Sequence, residues 1–399
     1  MHKRFARFSA MGIALAALAA FLAVGTLPAA AQTTNHSDAT HAVAAFLAAR
    51  IVSPQVHADD KVTFRFLDPN AHEVKLALEG SAPVPMQKDD RGVWSVTVGP
   101  LAPEYYGYSF VADGVALMDP SNPLMKPNLL SSQNMVFVPG PASLPWQTND
   151  VPHGVIHEHF YHSNIVGDNR NFYVYTPPGY NPRAKTRYPV LYLLHGYSDA
   201  ANGWTAVGRA NFILDNLIAE HKAVPMIVVM PLGYGAPQIL TASSPLSRDA
   251  LIEENSQKFT EALFEEVMPR VDRDYRVLRG PAHTAIAGLS MGGGEALYAG
   301  LNHLKTFGWV GGFSAAMLPH LDQEFPNLNA SANSRLHLLW VACGEQDPLV
   351  GKFNVALRAW LESRGIRFTQ IETPGVHSWL VWRGNLAAFV PLLFRQKAR

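Results

Sequence analysis

Residues Gly288-Leu289-Ser290-Met291-Gly292 set a serine between two glycines, after an apolar run ending at Ala287 and before a helix-like stretch from Glu295. A serine hydroxyl attacks a carbonyl only when it stands clear of its neighbours, with a base beside it and amide donors facing the oxyanion. A sharp strand-to-helix turn supplies that exposure. Flanking glycines leave out the Cβ atoms that would clash, and the dipole of the following helix favours developing negative charge. The same string occurs in ordinary glycine-rich turns. Its position between a buried strand and a helix is what points to a nucleophile.

An activated serine needs a base, and the base needs an acid to orient it, each carried on a loop after a strand. His377 follows the strand-like residues 368–371 and is the only histidine beyond His337, which lies inside an apolar run where its ring is expected to pack. The acid is expected in Cys343-Gly344-Glu345-Gln346-Asp347-Pro348, with Asp347 preferred and Glu345 the alternate. The oxyanion donors are expected to be the N–H groups of Met291, next to the nucleophile, and Tyr197, after Gly196. His195 offers a second base; a loop-bracing role is the preferred reading. Trp204, Trp379 and Trp382 are placed to stack on an aromatic acyl group or a sugar ring, with core packing as the alternative. His157 and His159 share a strand face and, with His153 and His162, could hold zinc. Without a cysteine or acidic ligand run beside them, solvated strand histidines are the preferred reading. No metal and no cofactor are expected.

Two kinds of pattern must position these groups. Residues 61–66, 73–78, 94–98 and 106–111 alternate with period two and are separated by turn material such as residues 89–92, which predicts a β-sandwich of immunoglobulin-like size over residues 52–140. There Trp94, Tyr106, Tyr108 and Phe110 suit a core better than an exposed sugar platform. A proline-rich linker runs over residues 139–152. Residues 151–396 then give continuous apolar runs at 188–194, 226–230, 285–287 and 336–341, with helical segments at 210–220, 256–271, 295–302 and 353–364. Buried parallel strands read this way, and strand–helix alternation predicts an α/β sheet of the doubly wound type.

Of 399 residues, 48% are hydrophobic and 16% charged, with 32 Lys plus Arg against 32 Asp plus Glu. Nucleic acid and an anionic membrane surface are therefore poor partners, and an uncharged ester or sugar polymer fits better. Residues 1–31 read as a secretory signal: Lys3, Arg4 and Arg7, an apolar stretch over about 11–24, and Ala29-Ala30-Ala31 at a cleavage-type site. A secreted or periplasmic protein with no membrane association after cleavage is expected, following an Ala-rich lead-in at residues 32–50. Cys343 is the single cysteine, so no intrachain disulfide stabilises the fold.

The motifs Val174-Tyr175-Thr176-Pro177-Pro178-Gly179-Tyr180, Leu193-Leu194-His195-Gly196 with Trp204, Gly288 to Gly293, Cys343 to Asp347 and His377-Ser378-Trp379 with Trp382 resemble those of carbohydrate esterase family 1. That group comprises feruloyl and acetyl xylan esterases, with esterase D and enterochelin esterase relatives. Residues 62–65, 92–97 and 119–123 resemble the early-set immunoglobulin-like modules that often precede such enzymes. The resemblance implies an α/β-hydrolase fold and a Ser290–His377–Asp347 triad with Met291 and Tyr197 as oxyanion donors. It also implies removal of hydroxycinnamoyl or acetyl groups from plant cell-wall polysaccharide. Two other readings stand beside it: another esterase or acyltransferase of the same fold, enterochelin-type or mycolyltransferase-like, and a non-catalytic carbohydrate-binding protein. The β-sandwich is read either as a sugar-binding module or as a rigid lid over the pocket, and residues 233–248 and the linker are both placed to shape substrate entry.

Overall fold

A computed structural model of the chain describes residues 51–241 and 245–395, with backbone alone at 245–248. The described residues form one compact unit. The expected signal segment and lead-in lie outside the described residues.

The N-terminal part of that unit, residues 55–138, is all β. Strands β1 (Gln55–Val56), β2 (Val62–Leu67), β3 (Val74–Leu78), β4 (Val84–Pro85), β5 (Gln87–Lys88), β6 (Val93–Val98), β7 (Glu104–Ala112), β8 (Val115–Leu117), β9 (Met125–Lys126) and β10 (Gln133–Val138) form two antiparallel sheets. Their orders are β1-β2-β6-β5 and β4-β3-β7-β10-β9, with β8 on β7. Alternation along each strand turns one row of side chains inward. Val62, Phe64, Phe66, Val74, Leu76, Tyr108, Phe110 and Val136 fill the space between the sheets. Trp94 and Tyr106 are in the same core, as their alternation predicts. The Asp119–Asn122 turn is structural: Tyr108 Oη donates to Asp119 Oδ2 at 2.8 Å, and Asn122 Nδ2 donates to Tyr108 Oη at 2.9 Å.

The linker is bound rather than loose. Asn216 Nδ2 donates to the carbonyls of Pro145 (2.7 Å) and Gln147 (2.8 Å), and Asn149 Nδ2 donates to Asn216 Oδ1. Beyond it, β11 (Val155–His162), β12 (Asn169–Thr176), β13 (Val190–Leu194), β14 (Ile227–Pro231), β15 (Thr284–Leu289), β16 (Trp309–Phe313), β17 (Leu338–Gly344) and β18 (Thr369–Thr373) make one sheet in the order β11-β12-β14-β13-β15-β16-β17-β18. The six strands from β14 to β18 are parallel, and β11 and β12 are antiparallel at one edge. Alternate residues of the central strands enter two cores, Tyr192, Val229 and Ile286 on one face and Leu191, Val228 and Ala285 on the other. This is why these strands read as unbroken apolar runs.

Helices α1 (Gly203–Ala206), α2 (Ala210–Ala219), α3 (Pro245–Ala262), α4 (Met268–Asp274), α5 (Ser290–Asn302), α6 (Leu321–Glu324), α7 (Gly351–Ser363) and α8 (Trp379–Phe389) cover the sheet. Two differ from the sequence pattern. The helix expected at 256–271 begins at Pro245 and passes through a π-helical turn, Leu263–Val267, into α4. Its first half is polar and carries no apolar stripe to announce it. The helix expected from residue 295 begins at Ser290, because close packing at the turn overrides the poor helix propensity of Gly292, Gly293 and Gly294.

The sandwich is joined to α8 by a fully buried arginine. Arg383 Nη1 donates to Val207 O at 2.8 Å, Nη2 donates to Tyr105 O, and Nε lies 3.0 Å from Glu104 Oε1.

Candidate active site

Ser290 sits at the junction of β15 and α5 with φ +50°, a left-handed conformation that non-glycine residues rarely adopt. The turn is sharp enough that a Cβ on Gly288 would run into the Gly292 carbonyl, and one on Gly292 into the His195 carbonyl. Both glycines are therefore required by close backbone approach. As the first residues of α5, Ser290 and Met291 have N–H groups without intrahelical acceptors.

His377 lies between β18 and α8, and Asp347 between β17 and α7. The structure brings these residues together. His377 Nδ1 donates to Asp347 Oδ2 at 2.7 Å, and Ser290 Oγ lies 2.9 Å from His377 Nε2. An ionised carboxylate only accepts, so the proton is on Nδ1 and Nε2 is free to accept from the serine. Asp347 Oδ1 accepts the N–H groups of Leu349 (3.0 Å) and Val350 (3.1 Å). Burial alone would raise the Asp347 carboxyl; the hydrogen bonds from His377 and the two amides outweigh it and hold it below the usual range. Glu345, the alternate acid, is exposed.

Around the serine is a cavity of about 500 Å³. Gly196, Tyr197, Leu289, Met317, Leu349, Trp379 and Trp382 line one side, and Glu79, Lys126, Asn128, Ser131 and Gln133 of the sandwich line the other. Trp382 packs edge-on against the His377 ring, centroids 4.9 Å apart. Trp204 departs from expectation. It is fully buried and does not line the cavity; its Nε1 donates to Leu194 O at 2.8 Å, so it braces β13 rather than meeting substrate. Of residues 233–248, the described side chains at 233–241 do not line the cavity, and those at 242–248 lie outside the described residues. Tyr234 and Ile239 pack behind Met291, and among the described residues the facing wall comes from the sandwich instead.

His195 is a strut. Gly233 N donates to its Nε2 at 2.9 Å, its Nδ1 reaches Gly196 O at 2.8 Å, and burial lowers its pKa to about 4. The ring is neutral and anchors the turn ahead of Tyr197. The strand histidines point to separate partners. His159 Nε2 meets Tyr275 Oη at 2.6 Å, His153 Nδ1 meets Asp215 Oδ2 at 2.9 Å, and His157 Nε2 lies 3.3 Å from Thr176 Oγ1. His337 stacks on Trp309.

The sandwich wall agrees with the reading of that domain as a lid over the pocket, but local patterning gave no sign of which residues build it, nor of Asp199, which sits 5% exposed beside it and accepts from Asn128 Nδ2 at 3.2 Å. Burial pushes the Asp199 carboxyl up to about 7, against a smaller opposing effect of Asn128. In the unfolded chain the same group titrates near 3.8. Between about pH 4 and 7 the folded chain thus holds a proton that the unfolded chain has released, so this group's contribution to stability falls as pH rises through that window. Glu295 and Glu324, also raised by burial, act with the same sign. Asp199→Asn is expected to flatten the decline of Tm between pH 4 and 7 and to raise Tm at pH 8. An unchanged slope in a pH series of thermal melts would refute the assignment.

With that geometry in place, comparison with known proteins gives the family. The Esterase family model matches residues 163–393. The chain belongs to the esterase family. Among relatives of this esterase, an endo-1,4-beta-xylanase/feruloyl esterase of Xylanibacter ruminicola is 28% identical over 349 residues, covering 86% of this chain and 46% of the relative. The chain thus spans about half the length of that relative. A CE1 ferulic acid esterase from the anaerobic fungus Anaeromyces mucronatus superposes with a TM-score of 0.56 at 26% identity, over 64% of this chain and 96% of that one. An enterochelin esterase from Shigella flexneri superposes with a TM-score of 0.63 at 21% identity, over 87% and 96%, a likeness of fold.

Proposed function

We propose that this protein is an exported serine carboxylic-ester hydrolase that removes hydroxycinnamoyl groups, feruloyl foremost, from plant cell-wall polysaccharide. The observation that carries the reading is the continuous hydrogen-bond chain from Ser290 through His377 to Asp347 on the floor of an open cavity. Ser290 Oγ attacks the ester carbonyl while its proton passes to His377 Nε2; Asp347 holds the imidazole in the receptive tautomer and stabilises the imidazolium. The oxyanion rests on the N–H groups of Met291 and Tyr197. His377 then gives the proton to the leaving alcohol, and water cleaves the acyl-enzyme by the same route in reverse.

Cavity size and lining favour an aromatic acyl group over acetyl, since about 500 Å³ walled by Trp379, Trp382, Met317 and Leu349 suits a planar ring. The feruloyl esterases among the similar proteins support the same choice. Export is inferred from the charged, apolar and small-residue order of residues 1–31.

A substrate panel tests the reading. The value of kcat/KM for methyl ferulate is expected to exceed that for an acetyl ester of the same alcohol by roughly tenfold or more, about 1.4 kcal/mol of transition-state preference. A preference for acetylated xylan or for a catechol siderophore ester would reassign the acyl group. A fluorophosphonate probe is expected to label the folded protein at Ser290, and its failure to do so would remove the hydrolase mechanism.

A further inference from the structure

We propose that Glu79 of the β-sandwich is a positioning residue for His377, acting through helix α8; the proposal rests on the assignment of Ser290, His377 and Asp347 to ester hydrolysis. Helix α8 begins at Trp379, two residues after His377, and its first N–H groups have no intrahelical acceptor. Ser378 stands in the capping position, but its side chain makes no capping hydrogen bond. The acceptor comes from the other end of the chain. Glu79 Oε1 takes the Trp379 N–H at 3.1 Å across a sequence separation of 300 residues. A carboxylate there also faces the positive end of the helix dipole.

Glu79 is fixed on its far side. Its Oε2 accepts Gly107 N at 2.9 Å and Lys126 Nζ at 3.0 Å, with the Glu79 and Lys126 side chains 10% and 15% exposed. Burial would raise its carboxyl, but the charges of Lys126 and Arg383 and the Gly107 amide outweigh it, so the group stays ionised. The neighbouring Gly80 has φ +82°, and a Cβ on it would stand 3.1 Å from Leu380 Cδ1, so the end of β3 lies directly on the first turn of α8. One turn further, Arg383 ties the same helix to Glu104 and Tyr105 of β7. Trp382, between these two anchors, is the residue that packs against the His377 ring. A shift of α8 therefore moves the imidazole, and the 2.9 Å contact with Ser290 leaves little slack.

The test compares Glu79→Ala with Val62→Ala, a sandwich-core change remote from α8, in the full chain. The readouts are kcat and KM on a small chromogenic ester, the rate of Ser290 labelling by a fluorophosphonate probe, and Tm. Glu79→Ala is expected to lower kcat and the labelling rate together by roughly 10- to 100-fold while KM moves less than about threefold. Val62→Ala is expected to lower Tm and leave both rates near the unmodified protein's. If Glu79→Ala fails to fold, the double change Glu79→Met with Lys126→Met removes the pair without stranding a buried charge, and the labelling rate is expected to fall over the same range. A folded Glu79 variant labelled at a rate within about twofold of the unmodified protein overturns the proposal. So does an equal loss of rate in Val62→Ala, which would mean general loosening. Absence of labelling in the unmodified protein would instead remove the hydrolase reading on which the proposal stands.

Discussion

Ser290→Ala is expected to lower kcat on a methyl ferulate or chromogenic acyl ester by about 10⁴- to 10⁶-fold and to abolish fluorophosphonate labelling. His377 Nε2 is 2.9 Å from this hydroxyl, which on the proposed mechanism is the group it deprotonates. The residual rate would come from binding and the oxyanion donors acting on water. The fold should be unaffected, because alanine meets the same positive φ as serine and the side chain makes no structural contact that alanine lacks beyond the hydrogen bond to His377. A variant with an unchanged Tm and more than about 1% of the original turnover would disprove covalent catalysis at this position.

Arg383→Met is expected to carry the largest stability loss. The guanidinium is wholly buried, bonds two carbonyls from different parts of the chain, and sits against Glu104, whose carboxyl burial raises and Arg383 pulls back down. Methionine fills similar volume but strands a buried acid and leaves both carbonyls without that donor. Breaking a buried pair from one side costs about 3–5 kcal/mol, and this should appear as a lower urea midpoint at pH 7. Adding Glu104→Gln removes the stranded charge and should restore about 1–2 kcal/mol. A single variant within about 0.5 kcal/mol of the parent would mean that the junction is not held as described.

Residue types and spacing made Ser290, His377 and Asp347 legible because each sits on a short, stereotyped device. The glycines around Ser290 exist to allow one turn, the 343–348 loop follows a buried strand, and His377 follows the last one. Alternation in 61–66 and 106–111 likewise matched β2 and β7, although β7 is buried along nearly its whole length, so there the pattern marks which side chains enter the sandwich core rather than which face meets solvent. The failures have a common cause. Trp204 and Trp379 lie in similar contexts, near strand-end loops, yet one is sealed under β13 and the other lines the cavity. The difference is set by packing from distant elements. Residues 79 and 379 meet only because two sheets and a bound linker bring them together, and no periodicity within a window of the chain encodes that. The start of α5 was missed because propensity spoke against three consecutive glycines where tertiary contact demanded them.

The bound linker and the shared cavity wall have a further consequence for a polymeric substrate. A module on a loose tether holds an enzyme near its polymer and lets it sample many positions, a gain in local concentration that grows or shrinks with tether length. Here Asn216 grips residues 145 and 147, and Lys126 of the sandwich lines the reaction cavity itself. These contacts tie the sandwich to the catalytic part instead of leaving it on a free tether. On the proposed reading, a long chain would have to lie along the wall that the sandwich gives to the cavity, so decorations facing away from it would stay intact until the polymer is turned or cut.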